Sequence, residues 1–166
     1  MTDPEKDGPA PPLAFRIVNW IGILDQLTST EANRLLKPLG LGLPQFVLLN
    51  HFSHRPEEAR TVTDIARALQ QPQPGVTKTV QKLVDKGWLG ERVHGRDGRS
   101  KLLVLTASGK ARHRAAIAVL MPSLSRAFAD WSARDQQTLF TLLDRLKVWF
   151  DRDRDPTDDS RDRRAR

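Results

Sequence analysis

The chain contains no cysteine, so disulfides, thiolate metal sites and cysteine-based redox sensing are excluded, and a reducing compartment fits. No apolar run approaches the roughly 20 residues of a membrane span. The first twelve residues, MTDPEKDGPAPP, are acidic and proline-rich, the wrong chemistry for a signal peptide. These absences predict a soluble cytoplasmic protein with no membrane partner. There is no glycine-rich phosphate loop, nucleophile elbow or metalloprotease pattern, so the expectation is a non-enzyme without a cofactor. His51 and His54, with Glu57 and Glu58 just beyond, lack a third fixed ligand, and no metal site is assigned to them. His94 and His113 read as surface residues of a hairpin and a helix.

What is present is enough chain, 166 residues, for one domain with a core and dimerisation elements. The formal charge of +7 is unevenly spread. Residues 60–114 hold twelve Lys or Arg against Asp64, Asp85, Glu91 and Asp97, whereas residues 13–59 are balanced and the tail from 151 alternates six Arg with six Asp. A concentrated basic segment points to a polyanionic partner; the plainer alternative is a solvated basic face.

Residues 1–12, with four prolines, read as a disordered arm. Leu13, Ile17, Trp20, Ile21, Leu24 and Leu27 then recur at helical spacing, predicting a helix over 13–36 that KPLGLGLP stops. A second helix starts near Leu43 with Pro44 in its first turn, and QFVLLNHF is apolar on nearly all sides, so it must be buried. HRPEEAR reads as a loop. TVTD is a capping box opening a short helix with Ile65, Ala66 and Leu69 inward. After QPQPG, Pro74 begins a helix through Lys86 that Gly87 closes. Strands are expected at 88–93 and 102–106, joined by HGRDGRSK. Helices over about 107–129, bent at Pro122, and from the SARD capping box to residue 150 follow; the charged tail 151–166 should be disordered. Trp88, Trp131 and Trp149 are accounted for by packing.

A helical wheel of the fourth helix places Val76, Val80, Leu83 and Val84 on one side. Gln73, Pro74, Lys78, Gln81, Lys82 and Asp85 fall on the other, with Gly75 and Thr77 at the margins. Lysines on that face suit phosphates, and amides and hydroxyls suit base edges in a major groove about 12 Å wide. Small residues at the start let the backbone approach a phosphate at the helix's positive end. An isolated hairpin is barely stable, so Leu89, Val93, Leu103 and Leu105 must anchor the following strands to the helices. The cationic tip then projects: Arg96, Arg99 and Lys101 are placed for a minor groove. Asp97 and Gly98 are assigned structural roles in the tip. The arrangement reads as a helix-turn-helix with a wing.

Residues 61–109 resemble the MarR family of bacterial winged-helix regulators. TVTDIARALQQPQPGVTKTVQKLVDKGWLGERV is followed by RDGRSKLLVLTASG, similar to the family's wing-tip Asp-x-Arg and Leu-Thr-x-x-Gly, here Asp97, Arg99, Leu105, Thr106 and Gly109. The flanking helices bring the likeness to about residues 13–150. The fold class expected is mainly α (α+β): a winged helix-turn-helix over about 43–106, with N- and C-terminal helices at 13–36 and 107–150 forming a dimerisation domain. The resemblance implies a homodimeric repressor on palindromic double-stranded DNA, with Gln73 to Gln81 in the major groove and Arg99 in the minor groove. It also implies relief by a small effector, often aromatic or phenolic. Gly42 departs from the hydroxyl helix cap common in the family.

Dimerisation has an argument of its own, since the stripes on the first and last helices are too apolar for a thin monomer. Trp20, Asn50 and His51 are candidate effector contacts, because a polar group on an apolar helix needs a partner; protein or water could equally supply it. The rival to DNA binding is a winged-helix protein–protein adaptor, which would have no need of the concentrated positive charge.

Overall fold

The computed structural model describes residues 10–93 and 101–153. Six helices and a two-stranded sheet follow in the order α1 (Leu13–Leu36), a 3-10 turn (Lys37–Leu39), α2 (Leu43–Ser53), α3 (Val62–Leu69), α4 (Gln73–Asp85), β1 (Leu89–Val93), β2 (Lys101–Leu105), α5 (Ala107–Ala127) and α6 (Ala133–Asp153). The chain forms two compact units that part between Met121 and Pro122, inside α5.

The core of the first unit is built around α2, as its all-round apolar sequence requires. Leu48, Leu49 and Phe52 of α2 are buried with Leu36 at the end of α1, Ile65 of α3, Val76, Val80 and Leu83 of α4, and Leu89, Leu103 and Leu105 of the sheet. Each such side chain contributes about 1.5–3 kcal/mol by leaving water. α1 enters this core only at its end: Leu13, Ile17, Trp20, Leu24 and Leu27 remain exposed.

Gly42 does precede α2 without a hydroxyl, and the missing cap is replaced from two directions. Asn33 Oδ1, from α1, accepts the Leu43 amide at 2.9 Å, and the buried Gln45 turns back to accept the Gly42 amide at 3.0 Å. Thr61 and Asp64 form the expected capping box of α3, the Thr61 hydroxyl accepting the Asp64 amide and Asp64 accepting from Thr61. Gln70 then ends α3 in the left-handed conformation, at φ +52°, and Gly87 ends α4 at φ +69°.

β1 and β2 pair antiparallel, with Leu89 opposite Leu105 and Glu91 opposite Leu103. Leu89, Leu103 and Leu105 are buried as anchors; the side chain of Val93 lies outside the described residues. The segment expected to be a loop after α2 contributes to the sheet as well. Arg60 bridges Leu103, exchanging backbone hydrogen bonds of 3.1 and 2.8 Å, because β2 would otherwise leave that edge unpaired.

In the second unit the Ser132 hydroxyl accepts the Asp135 amide at 3.1 Å and opens α6 as the SARD capping box predicts. The helix runs to Asp153, past the expected boundary at 150, with an ion pair between Lys147 and Asp151 across its last turns. Trp131 and Trp149 are not packed away: they stay 43% and 57% exposed, each edge-on to a neighbouring ring, Phe128 at 5.4 Å and Phe150 at 5.0 Å between centroids.

The Leu-Thr-x-x-Gly motif acquires a physical reason at the start of α5. Thr106 Oγ1 donates to the carbonyls of Gly87 (2.8 Å) and Trp88 (3.1 Å) while accepting the Gly109 amide at 2.9 Å. A Cβ on Gly109 would stand 2.1 Å from the Trp88 carbonyl oxygen and 2.7 Å from Leu105 Cδ1. Gly109→Ala is therefore expected to lower the unfolding free energy by about 1–3 kcal/mol or more, the cost of overpacking. Gly75→Ala, where an added Cβ meets nothing within 4 Å, should leave stability equal or higher by up to about 1 kcal/mol. Urea unfolding of the two variants beside the parent checks both.

Candidate nucleic-acid interface

α4 is held by α2, α3 and β1, which fixes the side it can present. Val76, Val80 and Leu83 are fully or nearly fully buried and Val84 is half-buried. Gln73, Pro74, Gly75, Thr77, Lys78, Gln81, Lys82 and Asp85 are all exposed, so the polar face predicted by the helical wheel is free. At its start, Pro72 offers no side-chain cap, while the amides of Gly75 and Val76 both turn to the Pro72 carbonyl at 3.1 and 3.3 Å. The positive end of the helix dipole therefore faces outward without an anionic side chain on it. The fold does not require a small residue at Gly75, since an added Cβ would meet open space.

The exposed groups are partly organised in advance. Thr77 Oγ1 donates to the Gln73 carbonyl at 2.8 Å, leaving its oxygen free to accept. Gln81 Nε2 donates to Asp85 Oδ1 at 2.8 Å. One amide hydrogen and Oε1 of Gln81 remain, the pair needed to read an adenine edge. Asp85 is thus a positioning partner for Gln81, a role that sequence reasoning did not assign.

The wing tip, with candidates Arg96, Asp97, Gly98 and Arg99 and with His94, lies outside the described residues. Lys101 is exposed at the start of β2, and its ammonium sits 2.7 Å from Glu91 on the paired strand. Other members of the basic segment serve the fold. Arg60, only 17% exposed at its side chain, binds Glu58 and His51. Lys110 pairs with Glu57 at 3.1 Å. Lys86 and Arg112 donate to the Gly40 and Leu39 carbonyls. The local charge excess overstates what is available to a polyanion; Lys78 and Lys82 hold the outward face.

The effector candidates do not converge into one described site. Trp20 is 58% exposed on α1. Asn50 Oδ1 accepts from His113 Nε2 at 3.1 Å, and His51 Nε2 accepts from the Arg60 guanidinium at 2.8 Å, so protein groups occupy both of these acceptors. His113 is accordingly not the surface residue its sequence position suggested: it is half-buried, stacked on Phe46 with ring centroids 5.9 Å apart, and also near Ser53 Oγ. Burial pushes both imidazoles below the usual histidine range. For His51 the Arg60 cation and the nearby His54 and Arg55 add to that effect, with Glu58 opposing; for His113 it is His54 that adds. An acceptor contact to an arginine requires His51 to be neutral with its proton on Nδ1.

Among the described residues no helix is long and apolar enough to cross a membrane. The pattern of the MarR family matches residues 39–100. An HTH-type transcriptional repressor of Mycobacterium tuberculosis is 31% identical over 116 residues, covering 70% of this chain and 82% of the relative. An uncharacterized HTH-type transcriptional regulator of Bacillus subtilis is 27% identical over 127 residues, 76% of this chain and 90% of its own. In three dimensions the chain is similar to a MarR protein from Peptoclostridium difficile, with a TM-score of 0.76 at 19% identity, over 89% of this chain and 95% of the other. It is also similar to a mutant MarR from E. coli complexed with operator DNA, with a TM-score of 0.69 at 22% identity, over 80% and 94% of the two chains. The two sequence relatives are named as HTH-type transcriptional regulators.

The depressed histidines carry a pH dependence whose sign follows from linkage. Unfolded, His51 and His113 titrate near the ordinary 6.5; folded, they resist protonation, so the unfolded state binds more protons just below that value. Stability is complete above pH 6.5 and falls as pH drops toward the folded values. Glu58 and Asp64, lowered mainly by hydrogen bonds from Arg60 and Thr61, contribute a loss only at more acid pH. The thermal midpoint is expected to fall between about pH 6.5 and 5. A His51→Gln/His113→Gln variant should show a shallower slope in that window, and an unchanged slope would refute the assignment.

Proposed function

The chain belongs to the MarR family, and on that premise we propose that it is a DNA-binding transcriptional repressor acting as a homodimer, one winged helix per subunit on each half of a palindromic operator. The observation that carries this reading is the division of α4. Its apolar side is locked into the core, and its outward side offers Gln73, Thr77, Lys78, Gln81 and Lys82 around an uncapped N-terminus. Such a helix suits a major groove, with Pro74 and Gly75 keeping its start small enough for the phosphate backbone. Arg96 and Arg99 are the wing residues assigned to the adjacent minor groove, with Lys101 beside them; the Lys101 bond to Glu91 would be exchanged for a phosphate.

The dimer is supported by apolar surface that each helix leaves open. On α1 these are Leu13, Phe15, Ile17, Trp20 and Leu24, and on α6 Phe140, Leu142 and Trp149. Exposed apolar residues in that number mark an interface. Release of DNA by a small aromatic or phenolic effector rests on the family resemblance. Asn50 and His51 would join such a site through their remaining donors, the Asn50 side-chain N–H groups and the His51 Nδ1–H, or by exchanging His113 and Arg60 for the ligand, and Trp20 would offer its ring.

Binding to a selected palindromic duplex should weaken steeply with salt, and Lys78→Ala or Lys82→Ala should reduce the slope of log K against log salt by about 0.9 for each phosphate left without its lysine. Gln81→Ala should cost about 1–3 kcal/mol on the preferred site and relax selectivity at one base pair. Arg99→Ala should lower affinity with unchanged helical circular dichroism. Gly75→Ala should fold normally yet bind DNA more weakly. A purified dimer that ignores every duplex at low ionic strength would instead be the protein–protein adaptor.

A further inference from the structure

Trp88 stands where four elements meet. It follows Gly87, the residue that ends α4, and it precedes β1; its carbonyl receives Thr106 at the start of α5. Its ring is buried and has two cations over it, Lys86 Nζ and Arg112 Cζ, each 4.8 Å from the centroid. Both cations also reach the end of α1. Lys86 Nζ donates to the Gly40 carbonyl at 2.5 Å, and Arg112 donates to the Leu39 carbonyl at 3.1 Å. These two oxygens belong to the turn that closes α1, where Gly40 adopts φ +65°. Cations belong at such a carbonyl-rich helix end, and an aromatic face beneath them adds attraction.

We infer that Lys86, Trp88 and Arg112 form a clamp that fixes the direction of α4 relative to α1, and through it the placement of the two DNA-reading helices in the dimer. The inference rests on the proposed DNA-binding function for its consequence, but not for its geometry. Near its C-terminal end α1 is also joined to the core by Leu36, by the Asn33 contact to Leu43 and by Leu39 and Leu41 of the turn that follows it. Those contacts are apolar packing and one short-range amide bond, whereas the clamp is the charged contact that ties the turn after α1 to both α4 and α5. The three residues are positioning residues. Two of them bear the positive charge that, in sequence, looks like part of a DNA-binding surface, yet each is committed to a carbonyl and a ring within its own subunit.

The native absence of cysteine makes a direct test convenient. Spin labels at Gln26→Cys on α1 and Lys82→Cys on α4, both exposed positions, report the α1–α4 distance within one chain when labelled protein is diluted into excess unlabelled protein. The parent should give a narrow distance distribution, and Arg112→Met and Lys86→Met should each broaden it, with Arg112→Lys intermediate. In the unlabelled full-length protein, Arg112→Met should weaken binding to the preferred duplex roughly three- to tenfold, the net size of one ordinary hydrogen bond. It should flatten the preference among duplexes of altered half-site spacing and leave the salt slope unchanged. A phosphate-contacting Arg112 would instead lower the salt slope and keep the spacing preference, which overturns the clamp. Unbroadened distances in both methionine variants overturn it equally. Broadened distances in a protein that binds no duplex would uphold the clamp and refute the DNA-binding reading.

Discussion

The backbone of α5 must start in direct contact with the backbone of Trp88, and much of the first unit depends on that approach. Only a residue without a Cβ can stand at position 109, because the Trp88 carbonyl oxygen occupies the space a methyl group would take. Thr106 holds the contact from the other side, with hydrogen bonds to Gly87, Trp88 and Gly109. A single hydroxyl and a missing methyl thus tie together the end of α4, the first wing strand and the helix that follows the wing. With those three directions set, Leu89, Leu103 and Leu105 fall onto α2 and α4, and the polar side of α4 has nowhere to point but outward.

Charge plays two roles in this chain, and burial and partners separate them. Arg60, Lys86, Lys110 and Arg112 close carbonyls, carboxylates or ring faces within the chain. Lys78 and Lys82 stand on a helix face whose apolar side is already spent on the core. Exposed ion pairs such as Lys110–Glu57 add little stability, whereas a guanidinium that closes a helix end and covers an indole restricts direction. That difference is invisible to a count of lysines and arginines along the chain.

How far residues could be read without coordinates depended on the range of the interactions that placed them. α3 and α6 were legible from Thr61 with Asp64 and Ser132 with Asp135, because a capping box is completed within four residues. The outward face of α4 was legible because one period of 3.6 residues sorts Val76, Val80 and Leu83 from Gln73, Lys78 and Gln81. The bridge from Arg60 to Leu103, the Asn33 cap on α2 and the burial of His113 were not, since each joins residues with an intervening segment that carries no period. Asp85 was recognised as polar surface, but its hold on Gln81 required knowing the side-chain directions one helical turn apart.

By itself, the amino-acid order determined which helices would form, where most of them would begin and which side of each would shun water, since periodicity, caps, prolines and glycines act within a few residues of themselves. It also carried the Leu-Thr-x-x-Gly stretch through which it resembles the family. The tertiary structure decided which cations remain for a partner, which histidines are drawn away from solvent and how α1 is joined to α4. Those outcomes depend on carbonyls and rings dozens of residues away along the chain, such as Leu39 for Arg112 and Gly40 for Lys86, which only the folded arrangement brings within hydrogen-bonding distance.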